Sequence, residues 1–504
     1  MSEIEKDARK PEVMQLEDIE KAPTNVEATT SRQTYIRRKF DRRILPIVCV
    51  LYILSYLDRG NIGNAKTAGA DDDLGIDSAQ WSWVLNAFYI CYVLMEWTTV
   101  LWKILPAHIF ISCLCALWGV AAMCSGAVHS LAGLIACRCL LGIFEAAFGA
   151  GAPYYLSLFY QRRELGMRVS LLLGMSPLAN TFASSLAYGI THIKNSIEPW
   201  RLLLIIGMEP KETQANHVSL LTRPKEGAPT VLFALVVFFF LPDSPSTARF
   251  LTTAEQTLAI ERLQTVDTTA KSKLKWSQIT AGLTDYQPYV HTLIHFCCNY
   301  SFAGLSNFLP TIVHDMGYSS VNAQGLTAPA YFVAFLCCVA AAYASDRYGK
   351  RGFVVAGFAA VGAVGYLVLV LVRDEEKTGA RYAGIWLAAC GVFPALCINI
   401  TWLLNNQGGD SKRGAGLAVL AIFGQCSSFL SSTVFPESDG PFYTKGCAIG
   451  CAFTGLIVVL ALGLHWRLEM ENRRRDWLYG VVGEDVRVDV TASGDKSRDF
   501  RYLT

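Results

Sequence analysis

Two charged side chains interrupt an otherwise apolar run over residues 131–158, Arg138 and Glu145. A charge at the centre of a membrane span costs ~2.5–3.5 kcal/mol even on insertion scales, so each needs a reason to be there. Seven residues are two helical turns, which sets both on one face about 10 Å apart along the axis. A guanidinium can hold a carboxylate through two parallel hydrogen bonds, and a glutamate withdrawn from water can take up and release a proton near neutral pH. Together they could bind an organic anion and a proton in one place, or they could be a structural pair holding their helix to its neighbours. Arg59 and Asn61 repeat the theme at the end of the first apolar run, where pairing of Arg59 with the adjacent Asp58 is the alternative. Asn299, Tyr300, Asn307 and Asn399 could present hydrogen bonds to a ligand or join helix to helix.

The elements that must carry these residues are membrane spans. The chain has 504 residues, 52% of them hydrophobic and only 17% charged, far from the balance of a soluble chain. Apolar runs fall at about 44–66, 81–103, 107–128, 131–158, 169–193, 287–312, 325–345, 352–372, 381–404, 414–435 and 442–466, with an interrupted twelfth near 200–241. They are long, continuous and without two-residue alternation, so they read as helices rather than barrel strands. The net charge of +2 gives no basic excess that would point to nucleic acid. The sixteen cysteines sit in or beside the apolar runs with no Cys-x-x-Cys pair, and read as small packing residues rather than metal or redox ligands.

Orientation follows from the positive-inside rule. Basic clusters fall at Arg37–Arg43, Arg162–Arg168, Arg347–Arg351, Lys412–Arg413 and Arg473–Arg475, and acidic residues such as Asp71–Asp73 at the opposite connections. Both termini are therefore expected in the cytoplasm. The expected organisation is a tail over 1–43, a six-helix half over 44–241, a cytoplasmic connector over 242–286, a second six-helix half over 287–466 and a tail over 467–504. No signal-peptide core lies near Met1, so the first span is expected to direct insertion itself. No Gly-x-x-x-x-Gly-Lys-Ser/Thr loop suggests an ATP-driven pump, and no enzymatic constellation or cofactor motif emerges. Asn299-Tyr-Ser and Asn399-Ile-Thr match the glycosylation pattern but lie inside spans, so neither is expected to be modified.

Ordered motifs add a second line. Leu57-Asp58-Arg59-Gly60-Asn61-Ile62-Gly63-Asn64-Ala65 closes the first run. Arg138-Cys-Leu-Leu-Gly142-Ile-Phe-Glu145 leads to Pro153-Tyr154-Tyr155-Leu156, and Leu241-Pro242-Asp243-Ser244-Pro245 opens the connector. The second half carries Phe308-Leu309-Pro310-Thr311-Ile312, Leu326-Thr327-Ala328-Pro329, Asp346-Arg347-Tyr348-Gly349-Lys350-Arg351 and Pro441-Phe442-Tyr443. Over about residues 40–480 this set resembles the major facilitator superfamily, specifically its anion:cation symporter family in the fungal branch of allantoate, nicotinate, pantothenate and biotin permeases. The resemblance implies an all-α, twelve-transmembrane-helix fold and uptake of a small organic anion or carboxylate together with a proton. The proton gradient would drive it, with no cofactor. It also implies a plasma-membrane location and a monomer. It casts Arg59 as contact for the substrate anion and Arg138 with Glu145 as the proton-coupling group. Asp346, Arg347 and Arg351 read as a charge latch that controls opening. Glu96-Trp97-Thr98-Thr99 departs from the family's Glu-x-Pro-Ser-Asn, and Glu96, near the inner face, is assigned no role. Export of a metabolite and a non-transporting nutrient sensor are the alternative readings.

The sixth span is broken. Trp200-Arg201 should run straight into an apolar helix, but polar residues 207–225 intervene before Glu226-Gly227-Ala228-Pro229 resumes the pattern. Without those nineteen residues the span would have ordinary length. They read as translation of an unspliced intron of 57 nucleotides, or as a genuine extracellular insertion.

Overall fold

In the computed structural model the residues described are 26–191, 198–206, 229–264, 276–435, 437–482 and 494–504, and among them every regular element is helical. The N-terminal half contains α1 (Leu45–Thr67), α2 (Ser78–Met95), α3 (Ala107–Ser125), α4 (Leu131–Ser157), α5 (Arg162–Thr191) and two pieces of α6 (Pro199–Ile206 and Pro229–Phe240). The C-terminal half contains α7 (Tyr286–His314), α8 (Ser320–Tyr348), α9 (Arg351–Leu371), α10 (Thr378–Asn406), α11 (Asp410–Val434) and α12 (Thr444–Tyr479). Eight of these helices are long and apolar enough to cross a membrane by length and composition. Polar caps set several starts. Asp77 and Gln80 form a reciprocal box at α2, and Ser130, Asp285 and Ser319 cap α4, α7 and α8.

Within the halves α2 packs on α4, α7 on α11, and α9 on α10 and α12; between them α5 packs on α8, α2 on α11 and α1 on α7. The second span departs from a continuous helix over 81–103, because α2 gives way at Glu96 to a tighter 3₁₀ helix, Glu96–Lys103. That turn swings Trp102 onto α4, where its Nε1 donates to the Ala147 carbonyl at 2.7 Å. Gly151 makes the room, since a Cβ there would stand 1.9 Å from that nitrogen.

Helix α12 continues past the apolar run that ends near 466, out to Tyr479. Beyond that run it is supported by Glu469–Arg473 and Glu471–Arg475 pairs one turn apart. Upstream of α1 the basic cluster lies on a helix, Val26–Arg43, rather than in open chain. Lys39 pairs with Glu255 on the connector helix Thr253–Gln264, and Asp41 accepts from Nη2 and Nε along one edge of the Arg168 guanidinium at 2.7 and 3.0 Å. The Leu-Pro-Asp-Ser-Pro motif ties the connector back to its own half. Tyr155 Oη donates to the Pro242 carbonyl at 2.6 Å, and Asp243 receives the backbone N–H of His108 at 3.0 Å.

Residues 207–225 lie outside the described residues, but the two pieces of α6 that flank them share one column. Pro199–Ile206 descends along α1 and α3 until the Leu203 carbonyl accepts from Asn61 Nδ2 at 3.4 Å. Pro229–Phe240 resumes less than one turn of α1 further in, where Thr230 Oγ1 donates to Asp58 Oδ2 at 3.1 Å and the Thr230 carbonyl accepts from Cys115.

A returning segment, Gly494–Thr504, closes the inner end of the C-terminal half. Asp495, 4% exposed, holds Lys412 Nζ at 2.7 Å, and the same ammonium reaches Asp285 at 2.7 Å. The Leu503 carbonyl accepts from Trp402 Nε1 and Asn406 Nδ2, and Asn472 exchanges two bonds with the Tyr502 backbone. Asp495→Asn leaves a buried ammonium with one carboxylate and is expected to cost about 1–3 kcal/mol. Thermal unfolding in detergent, followed through exposure of the buried cysteines, checks this; an unchanged midpoint would refute the strap.

Candidate functional site

Ser55 and Arg59 are four residues apart on α1 and so share a face. Across from them on α4 stands Glu145, fully buried. One carboxylate oxygen, Oε1, accepts from Arg59 Nη2 at 2.7 Å and from Ser55 Oγ at 2.5 Å. The other, Oε2, is buried without a partner, as is Arg59 Nε. The guanidinium is stacked among three rings, its carbon 4.7 Å from the centroid of Tyr56 and 4.9 Å from those of Phe88 and Tyr92. A cation against ring faces gains about 0.5–2 kcal/mol. The pair is therefore well seated yet half-satisfied, with one anion acceptor and one donor free.

Tyr56 and Tyr92 turn their other sides to a cavity between the two halves. Its N-terminal wall is Tyr52, Tyr56, Tyr92, Glu96, Gly149 and Pro153; its C-terminal wall includes His295, Asn299, Phe302 and Gln425. The free volume is about 50 Å³, room for a water or two and too little for a ring compound. The cavity is thus contracted, with contacts between the halves on both sides of it. The outer seam holds Asn307 Nδ2 to Tyr89 Oη at 3.1 Å, Ser432 Oγ to Asn86 Oδ1 at 2.5 Å and Gln324 Nε2 to the Asn64 carbonyl at 3.3 Å. On the inner side Ser170 meets Thr401 at 3.1 Å.

The residues singled out in the sequence fall in different places. Glu145 meets Arg59 from the neighbouring helix rather than Arg138 from its own. Arg138, 2% exposed, sits beyond Phe88, 5.1 Å from that ring, and lines a small void with Asp58, Asn61, Ser125 and Leu204. Asp58 does not pair with Arg59, because adjacent helical positions point about 100° apart; it faces Thr230 instead. Asn299 lines the cavity, but its amide also donates to Gln425 Oε1 and Ser428 Oγ on α11, both at 2.9 Å. Asn399 exchanges two bonds with His291, Tyr300 Oη donates to the Gly446 carbonyl, and Asn307 belongs to the outer seam. Asp346 and Arg351 pair at 2.9 Å, with Gly166 of α5 set close against both, so this contact spans the two halves; Arg347 points outward and is exposed.

Sequence reasoning passed over Tyr52, Tyr56, Tyr92, His295 and Gln425, and named Glu96 only to give it no role. Aromatic residues in apolar runs carry no mark of a cavity, since packing alone accounts for them. Glu96 and His295 did carry one, a titratable group inside a span.

Two bundles of membrane helices packed about a shared cavity are the architecture of a transporter rather than an enzyme. The chain belongs to the Major Facilitator Superfamily, whose family model matches residues 48–208 and 226–432 and leaves out 209–225. It is similar to the MFS-type transporter efuF of Hormonema carpetanum, 32% identical over 88% of this chain and 87% of that one. It is also similar to the high-affinity nicotinic acid transporter of Saccharomyces cerevisiae, 27% identical over 93% of this chain and 84% of that one. Among solved structures, the proton:xylose symporter XylE superposes with a TM-score of 0.60 at 14% identity, covering 84% of this chain and 95% of that one, a likeness of fold.

Proposed function

We propose that this transporter is a proton-coupled symporter of the anion:cation type, in the fungal permease branch, that takes up a small organic carboxylate such as nicotinate across the plasma membrane as a monomer with both termini in the cytoplasm. The observation that carries the reading is the buried Arg59–Glu145 pair behind Tyr56 and Tyr92. A substrate carboxylate entering between these rings competes with Glu145 for the guanidinium. Glu145 cannot be left charged and unpaired in a dry site, so a proton must arrive with the anion. When the proton leaves to the inside, Glu145 reclaims Arg59 and the anion is released. The rings offer flat faces to an aromatic or heteroaromatic acid. Rocking of the halves about this centre exchanges access between the two sides. In this reading residues 207–225 are not part of the working protein: the family match omits 209–225 of them, and the flanking pieces of α6 already form one column.

The test is uptake of a labelled carboxylate panel by transport-deficient yeast, at acidic and neutral outside pH, with and without residues 207–225. Expected is accumulation of one acid that is greater in acid medium, collapses with a protonophore, and is carried by the version lacking 207–225. Surface-expressed protein that moves substrate only outward from preloaded cells would overturn the direction, and uptake indifferent to protonophore would overturn the coupling.

A further inference from the structure

Away from the central cavity, three arginines converge on a cleft that the transport cycle does not use. Arg42 and Arg43 end the helix that precedes α1, Arg249 lies in the connector, and all three line one cleft of about 820 Å³. That volume falls within the ~300–1,000 Å³ of small-ligand sites. Their side chains are exposed, and none is in an ion pair with a described residue. Other cations of the same helix do find partners, Arg37 in Glu164 and Lys39 in Glu255. Among the described residues lining the cleft the one carboxylate is Asp243, and it is already engaged: it accepts the backbone N–H of His108 at 3.0 Å and lies 2.9 Å from that ring's Nδ1. Three guanidinium charges thus face one occupied carboxylate, an imbalance that an anion from outside the chain would correct.

The side wall says what kind of anion. Phe238, Phe239 and Phe240 form the last turn of α6 and are 43%, 62% and 63% exposed. The Phe238 ring lies 5.7 Å from the His108 ring and 5.2 Å from Phe239. Phe250 of the connector also lines the cleft and is steadied by Phe40 at 6.1 Å. At the end of an apolar span, such rings stand where hydrocarbon gives way to head groups. A soluble anion would use the arginines and leave the rings bare, whereas a phosphate joined to acyl chains uses both. We propose that this cleft binds one anionic phospholipid of the cytoplasmic leaflet, its phosphate and head group held by Arg42, Arg43 and Arg249 and its acyl chains lying along Phe238, Phe239 and Phe240. That leaflet carries the membrane's anionic lipids, and basic pockets at its level take their head groups. The proposal goes beyond the transport reading and shares with it only the cytoplasmic placement of this end of the molecule.

The test is lipid binding by the purified full chain, stripped of lipid in a neutral detergent and titrated with dioctanoyl phosphatidylserine or dioctanoyl phosphatidylcholine, with native mass spectrometry counting the lipids bound. Expected is one phosphatidylserine held roughly 10-fold or more tighter than phosphatidylcholine. At about fivefold in affinity per arginine, R42Q/R43Q should weaken phosphatidylserine binding about 25-fold and R249Q about fivefold. R473Q/R474Q takes the same charge from exposed positions on α12 and should leave binding unchanged within about twofold. F239A/F240A should weaken it about 10-fold through lost apolar contact. All of these side chains are exposed, so the variants keep the fold. Equal affinity for the two lipids, or equal losses from R42Q/R43Q and R473Q/R474Q, would overturn the proposal and leave only a diffuse basic surface. Displacement of the lipid by an equimolar amount of glycerophosphoserine, the same head group without chains, or F239A/F240A without effect, would overturn it in favour of a site for soluble anions. None of these readouts depends on transport, so failure of the symporter reading leaves the result intact.

Discussion

Glu145→Gln is expected to reduce substrate accumulation at least ~100-fold, to the level reached by passive equilibration, and to lower stability by about 3–5 kcal/mol. The two effects have one origin. Glutamine still offers an oxygen to Ser55 and Arg59, so shape and hydrogen bonding survive. The negative charge does not, and a guanidinium only 6% exposed is left unneutralised. A structural pair and a functional pair would both show this loss, so the deciding variant removes both charges. Arg59→Met with Glu145→Gln replaces a desolvated ion pair by neutral groups, which restores much of the stability in other buried pairs. We expect the double variant to reach the membrane and unfold at a midpoint close to wild type, yet to accumulate nothing. Transport by the double variant would show that the pair only holds α1 to α4.

The second large effect is expected at Gly63. In the closed outer seam a Cβ at this position would stand 2.6 Å from the backbone oxygen of Asn307, so the helices α1 and α7 touch there only because the side chain is a hydrogen atom. Backbone cannot retreat as a flexible side chain can. Gly63→Val should therefore oppose outer closure by about 1–3 kcal/mol, the usual cost of overpacking, and shift the carrier toward the outward-open state about 5- to 100-fold. Binding from outside would persist while accumulation falls. Mass-spectrometric mapping of an impermeant maleimide on Asn86→Cys, a seam position bonded to Ser432, reads the shift directly. Equal labelling with and without Gly63→Val would contradict it.

Much of the architecture was legible because a bilayer leaves so few solutions. Long apolar runs must be helices, and the alternation of basic loops orders them. The break in α6 was equally visible, since a span cannot absorb a nineteen-residue insert carrying Glu209, Lys211, Glu212, Arg223 and Lys225; the family match resumes at residue 226, where the sequence pattern does. The site was legible in its parts and not in its pairing. Spacing along one helix places Arg138 and Glu145 on one face, but it says nothing of which neighbour supplies the partner, and α1 brings Arg59 closer. Asn399 and Tyr300 show the converse. Polar residues within spans look like ligand contacts until the opposing helix is seen to use them, as His291 and Gly446 do here. Glu96 lies elsewhere than its position at the end of a run suggested: instead of a solvated head group it is buried at the start of the 3₁₀ turn and lines the cavity.

Asp58 and Arg59 are neighbours in sequence that face different helices, about 100° apart around α1. The first is anchored to Thr230, at the start of the inner piece of α6; the second holds Glu145 at the cavity. Both contacts hang on one rigid stretch of α1, so a variant that displaces the inner piece of α6 is expected to be felt at Arg59. With Arg59 as the proposed anion contact, the inner piece of α6 stands one residue of α1 away from the proposed binding chemistry.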